Sequence, residues 1–277
     1  MERRTFRAMG TDIELLVDAD EAGGQLDAAA AEFERLEALL SRFRESSELS
    51  RLNEAGSLAA GPDLRRVVEL ALDARERTGG RFDPTVHDAL VGAGYDRTFT
   101  EIVDVDVPAA EPRPALGGVT ITDAAIELDP GVRIDLGGIG KGYAAERAAE
   151  ILAVAGPCLV NAGGDIAVRG GIWPIGVETA DGSLTLELSG GGLATSGRDR
   201  RAWKRAGREF HHLIDPRTGA PAESDILRVT VVAGDAVEAE VAAKDLFLSG
   251  SEEASSSVLS AVVVTADGRT VLTGALA

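Results

Sequence analysis

"GVRIDLGGIGKGYAAERAAEIL", residues 131–152, runs from a short strand through a glycine-crowded turn into a helix. Gly137, Gly138, Gly140 and Gly142 supply the turn, and Ile139, Tyr143, Ala148, Ile151 and Leu152 supply the buried helix face. Closely spaced glycines let backbone N–H groups approach a ligand, a helix N-terminus favours an anion, and Lys141 adds a donor in the same turn. The spacing is not G-x-G-x-x-G, and no Ser or Thr follows Lys141 as a P-loop requires. On spacing alone, a plain tight turn and a phosphate-holding turn both stand.

Working outward, residues 4–18 alternate polar and apolar positions around Gly10, which predicts a strand. Gln25 to Phe43 carries Leu26, Phe33, Leu36, Leu40 and Phe43 at helical spacing. A second helix is predicted from Pro62 to Gly79, with Leu64, Val67, Val68, Ala71 and Ala74 facing inward. "VDVPAAEPRPALGG", residues 105–118, has three prolines and no period, so it reads as a surface connection. Beyond it come a hairpin at "VTITDAAIELD" and strands at "CLVNAG", "DIAVRG", "WPIGVETA", "LTLELS" and "LRVTVVAG". A helix over about 236–248 and a hairpin at "VVVTADGRTVL" follow. The mixed order predicts an α+β fold, mixed sheets with packed helices. It forms one domain over residues 1–277, with a helical N-terminal lobe to about residue 103 and a strand-rich lobe over about 118–277.

The formal net charge of −18 repels phosphate polymers, which argues against nucleic acid and anionic membrane surfaces as partners. Cys158 is the only cysteine, so no intrachain disulfide forms; its apolar setting predicts a buried, inert thiol and a reducing compartment. No segment has the length of a membrane span, and the expected location is cytoplasmic.

Seven segments in order, "AMGTDIEL", "LSRFRESSELSRLN", "GGRFDPTV", "IDLGGIGKGYAAE", "VNAGGDIAVRG", "LATSGRDRR" and "HHLIDPRTGAP", resemble the ApbE family of FAD-dependent protein flavin transferases. The resemblance implies an ApbE-like, T-fold-related architecture. It also implies an activity that splits FAD at the pyrophosphate and attaches FMN through a phosphoester to a threonine of an acceptor flavoprotein. Two other activities are weighed beside it: hydrolysis of FAD to FMN and AMP, and flavin binding without catalysis.

Carried over by position, the resemblance places Met9, Phe43, Arg81, Phe82, Asp83, Asp135, Gly138, Lys141 and Ile214 at the FAD site. Phe43 stands where the family more often has tyrosine, and it also fits the core stripe of its helix. Asp135 serves equally as a turn carboxylate, and Asn161 holds either a ligand or its own turn. Of the three histidines, His87, His211 and His212, the last begins the family's His-x-Ile-Asp-Pro run. It is the candidate base for the threonine hydroxyl, with a structural histidine as the alternative.

Only three of the 28 basic residues are lysine, namely Lys141, Lys204 and Lys244, in a chain that otherwise uses arginine. In "AEVAAKDLFLSG", residues 239–250, Glu240 and Lys244 fall where the family usually has Asp-x-x-x-Thr holding magnesium. An ammonium has no lone pair for a metal. Either the two residues form an i,i+4 helix pair, or Lys244 takes over part of the metal's work as a catalytic group. A magnesium ion stays open on this reading, with Glu240 as its remaining carboxylate.

Overall fold

A computed structural model describes residues 1–115 and 117–277. They divide into two compact units, each discontinuous in sequence. The first comprises Met1–Glu37, Ile139–Ser196 and Ser224–Ala277, and the second Ala38–Gly138 and Gly197–Glu223.

The first unit is built on one eight-stranded sheet whose order across the sheet is the order along the chain. Its strands are β1 (Glu2–Ala8), β2 (Thr11–Val17), β3 (Cys158–Ala162), β4 (Asp165–Thr179), β5 (Gly182–Gly197), β6 (Ile226–Ala233), β7 (Ser260–Thr265) and β8 (Thr270–Thr273). The predicted strand at 4–18 is therefore two strands, paired Ala8 to Thr11 across a two-residue turn. Met9 at φ 51° and Gly10 at φ 71° both lie in the left-handed region, as the mirror-image hairpin turn demands. A methionine there is strained by on the order of 1 kcal/mol. Met9→Asn is expected to raise the free energy of unfolding by roughly 0.5–1 kcal/mol, measured by chemical denaturation; an unchanged midpoint would mean the turn carries no strain.

"DIAVRG" and "WPIGVETA" are predicted as separate strands on either side of Gly170-Gly171. They are one strand, β4, with the glycines at φ 64° and 70° in a bulge that shifts register between Arg169 and Trp173. The helix Gly140–Leu152 packs on β3 and β4, and the helix Ala236–Ser249 packs on β6 and on the Gly140 helix. The helices meet through small residues: Ala144, Ala145, Ala148, Ala239 and Ala243 have no exposed surface. At Gly142 a Cβ would lie 2.6 Å from the Ala236 carbonyl oxygen, so only glycine permits this approach. Cys158 is buried, and burial pushes its thiol up to about 11, which makes it inert at neutral pH.

The second unit holds the helices Glu48–Ala55, Pro62–Arg77 and His87–Ala93 with three small sheets. The predicted stripe Leu64, Val67, Val68, Ala71 and Ala74 is fully buried. The helices at 48–55 and 87–93 have no counterpart in the sequence reading. "VRID" makes no strand. Ile134 is buried, but its N–H and C=O pair at 2.8 Å with the side-chain amide of Asn53, which stands in for a neighbouring strand. The proline-rich connection runs largely exposed, bridging at Val105 to Arg205 and joining Ala115 to Pro216; its Leu116 lies outside the described residues.

Candidate functional site

In the first unit, the Met9 turn and the Gly163-Gly164 turn adjoin, since a Cβ on Gly163 would strike Thr11. Asn161 bonds its own turn, its Oδ1 accepting from Gly164 N–H at 2.9 Å. Asp165 follows at the start of β4, 97% buried. Here four charged side chains converge from three elements. Lys141, from the second residue of its helix, donates to Asp165 and, at 2.6 Å, to Glu240 Oε1. Lys244 Nζ lies 3.2 Å from the same oxygen. Glu240 Oε2 accepts from Gly142 N–H at 2.9 Å.

Glu240 has no exposed surface, and burial by itself raises a carboxyl pKa; the Lys141 and Lys244 charges overcome that and hold it well below the usual carboxylate range. At Asp165, burial together with the Glu240 charge pushes the pKa up, against the pull of Lys141 and Lys244. Burial also pushes the Lys244 pKa down, against the pull of Glu240. An i,i+4 pair with one member wholly buried is not the solvated surface pair weighed for the helix Ala236–Ser249. Fully ionised, the two acids and two lysines sum to zero.

This arrangement bears on magnesium. Glu240, the carboxylate expected to remain for a metal, has both oxygens taken, one by two ammonium groups and the other by a backbone amide. Among the described residues no three His, Cys, Asp or Glu side chains converge as a metal-holding group. The residues present do not fit a divalent cation beside Glu240.

In the second unit, the predicted helix to Phe43 ends at Leu40. Phe43 therefore leaves the core stripe and is 40% exposed. The Phe43 and Tyr95 rings are in tilted contact, 5.8 Å between centroids, and the Arg42 guanidinium lies over both, 4.2 Å and 4.7 Å from those centroids, and ion-pairs with Asp135 at 2.7 Å. Asp135 also accepts from Gly137 N–H at 2.8 Å, so it shapes the turn and anchors Arg42, without capping the helix that follows. Gly138 is half-buried in this turn.

Phe82 and Asp83 are buried, and Arg81 is half-buried in the preceding turn. Asp83 uses both oxygens internally, accepting from Arg75 at 2.9 Å and from Thr85 N–H at 2.8 Å. Ile214 sits in the core with Leu90, Trp203 and Phe210. These three residues build the unit's interior. His211 is buried, accepts Leu213 N–H at Nδ1 and donates from Nε2 to the Ala222 carbonyl, which fixes it as a neutral structural imidazole; burial holds its pKa down. His212 is half-buried in the bend after that strand.

Asp165, Arg42 and Tyr95 escaped the sequence reading. Asp165 had one signal, an acid directly after a glycine pair; the contacts of Arg42 with Tyr95 and Asp135 depend on residues far apart in sequence.

The sequence profile of the ApbE family matches residues 9–264. The FAD:protein FMN transferase of Salmonella typhimurium is 30% identical over 239 residues, covering 78% of this chain and 68% of its own. That of Treponema pallidum is 28% identical over 289 residues, covering 90% and 79%. The crystal structure of the ApbE protein from Thermotoga maritima superposes with a TM-score of 0.87 at 25% identity, over 98% of this chain and 96% of its own. The flavin transferase ApbE from Vibrio cholerae, at 22% identity and a TM-score of 0.80 over 99% and 97%, shares the fold.

Proposed function

On the premise that the chain belongs to the ApbE family, we propose that it transfers FMN from FAD to a threonine hydroxyl of an acceptor flavoprotein and releases AMP. The observation that carries this reading is the convergence of two lysine ammonium groups on one buried carboxylate beside a helix N-terminus. Such a group suits a pyrophosphate, which needs donors that do not have to be ordered at the moment of reaction.

In the proposed step, the hydroxyl oxygen bonds to the FMN phosphorus as the bond from that phosphorus to the bridging oxygen breaks. AMP leaves with the bridging oxygen and its electron pair, and the hydroxyl proton passes to His212. Charge develops on the bridging oxygen and on the phosphoryl oxygens, where Lys141 and Lys244 act as donors. Glu240 keeps both lysines in place. Phe43 offers its exposed ring to the flavin or adenine, and Met9 is a second apolar contact. Asp135, Gly138, Arg81, Phe82, Asp83 and Ile214 support the FAD-binding surface through the turns and core they build. A location in the cytoplasm is in keeping with a single, buried cysteine that has no intrachain partner for a disulfide. Among the described residues no helix is long and apolar enough to cross a membrane.

Calorimetry is expected to show FAD binding well above FMN or NAD; equal or absent FAD binding would refute the reading. Product analysis then separates the activities. AMP together with flavin fixed to a threonine-bearing acceptor supports transfer. AMP with free FMN in the absence of acceptor means hydrolysis, and no product under any condition means binding alone.

A further inference from the structure

Below the lysine cluster, the same three elements are joined a second time. Glu146 stands five residues after Lys141 on its helix, Arg169 four residues after Asp165 on β4, and Ala236 four residues before Glu240 on its helix. Arg169 Nη2 donates to Glu146 Oε2, and Ala236 N–H donates to Glu146 Oε1 at 2.7 Å. The charge order is reversed: in the first layer the Gly140 helix brings the cation, in the second the anion.

Glu146 is not an ordinary helix cap. Asp235 already fills that role, accepting from Glu238 N–H at 2.7 Å. Glu146 comes instead from another helix, is 92% buried and takes an N–H that has no partner within its own helix. Ala236 is enclosed further by two glycines: a Cβ on Gly192 would lie 2.2 Å from its nitrogen, and one on Gly142 would lie 2.6 Å from its oxygen. The first residue of the helix bearing Glu240 and Lys244 is thus held on three sides: Gly192 packs it against β5, which pairs with β4 at Ala167, Gly142 packs it against the neighbouring helix, and Glu146 adds a side-chain hydrogen bond and is itself tied to β4 by Arg169.

We propose that Glu146, tied by Arg169, is a positioning residue that sets the height of the Ala236 helix and so places Glu240 and Lys244 against Lys141. The proposal rests on the transferase reading for its effect on rate, although not for its effect on structure. Without Glu146 this helix end loses a hydrogen-bonded hold and can shift within its glycine packing, and a displacement of about 1 Å in groups that meet developing charge can cost on the order of a hundredfold in rate.

The three lysines make a direct test practicable, because lysine-selective isotope labelling yields NMR signals from Lys141, Lys244 and the exposed Lys204 alone. Glu146→Ala is expected to move the Lys141 and Lys244 side-chain signals at neutral pH and leave Lys204 unmoved. It should also lower the kcat of transfer by about tenfold or more with KM for FAD near parental. Glu146→Gln, which keeps a carbonyl for the Ala236 N–H, should restore most of the rate. Asp235→Ala removes a cap worth about 1 kcal/mol from the same helix end and should leave both lysine signals and kcat in place. The proposal is overturned if Glu146→Ala moves neither signal, or if Asp235→Ala reproduces its effects at an equal loss of Tm. The NMR comparison needs no turnover, so a parental chain inert toward FAD would refute the transferase reading while the lysine signals still decide the role of Glu146.

Discussion

Lys244→Met is expected to lower flavin transfer by about two to three powers of ten while the chain stays folded. Removing one donor aimed at developing charge commonly costs about 3–4 kcal/mol of barrier. Folding should survive, because Glu240 keeps Lys141 at 2.6 Å and the Gly142 amide at 2.9 Å. The same geometry predicts that the parental chain transfers flavin at an undiminished rate in EDTA. Lys244→Thr combined with Glu240→Asp removes one of the two ammonium groups, draws the shortened carboxylate back from Lys141 and the Gly142 amide, and should make the reaction depend on magnesium. Transfer assays on each variant with and without chelator check all three statements. Loss of parental activity in EDTA, or a Lys244→Met variant at the parental rate, would reduce this lysine to a partner in a helix ion pair.

His212→Ala should leave FAD affinity near parental and slow transfer by about a hundredfold or more, the usual scale for a positioned base. A histidine base works deprotonated, so the parental rate should rise with pH as the imidazole gives up its proton, and the variant should lack that rise. Pre-steady-state transfer measured across pH, with calorimetry for FAD, reads both quantities. A parental rate in the variant would send the search for the base elsewhere, and the carboxylates Asp215 and Asp135 are poor substitutes. Asp215 is part-buried, which by itself would raise its pKa, but it is clasped by Arg217 through contacts of 2.8–2.9 Å that hold it below the usual carboxylate range. Asp135 is engaged by Arg42.

Local patterns carried the helix at Pro62–Arg77 and the hairpins, because in those elements the residues that decide the structure are near neighbours in the chain. The errors came where a distant residue intervenes. Phe43 continues a helical period by coincidence, but Arg42 turns out of the helix toward Asp135 and Tyr95. Ile134 looks like part of a strand, yet its backbone partner is a side-chain amide 81 residues away. Gly170-Gly171 reads as a stop and functions as a bulge, since only register with β5 distinguishes the two.

For the candidate site, the scarcity of lysine singled out Lys141 and Lys244, and helical spacing linked Lys244 to Glu240. That one carboxylate oxygen serves both lysines depends on how two helices pack, and no local pattern reports it. Of the FAD contacts implied by resemblance, Phe43 presents an exposed ring, whereas Phe82, Asp83 and Ile214 are interior residues.

The two tryptophans are divided evenly, Trp173 in the first unit and Trp203 in the second. Each is buried and each donates its indole N–H to a carbonyl of its own unit, Trp173 to Gly170 and Trp203 to Ala93. Buried, hydrogen-bonded indoles change emission when their surroundings open to water, so this chain contains one indole fluorophore per unit. With Trp173→Phe and Trp203→Phe variants, the unfolding of each half can be followed separately by fluorescence, with no dye attached and no engineered probe.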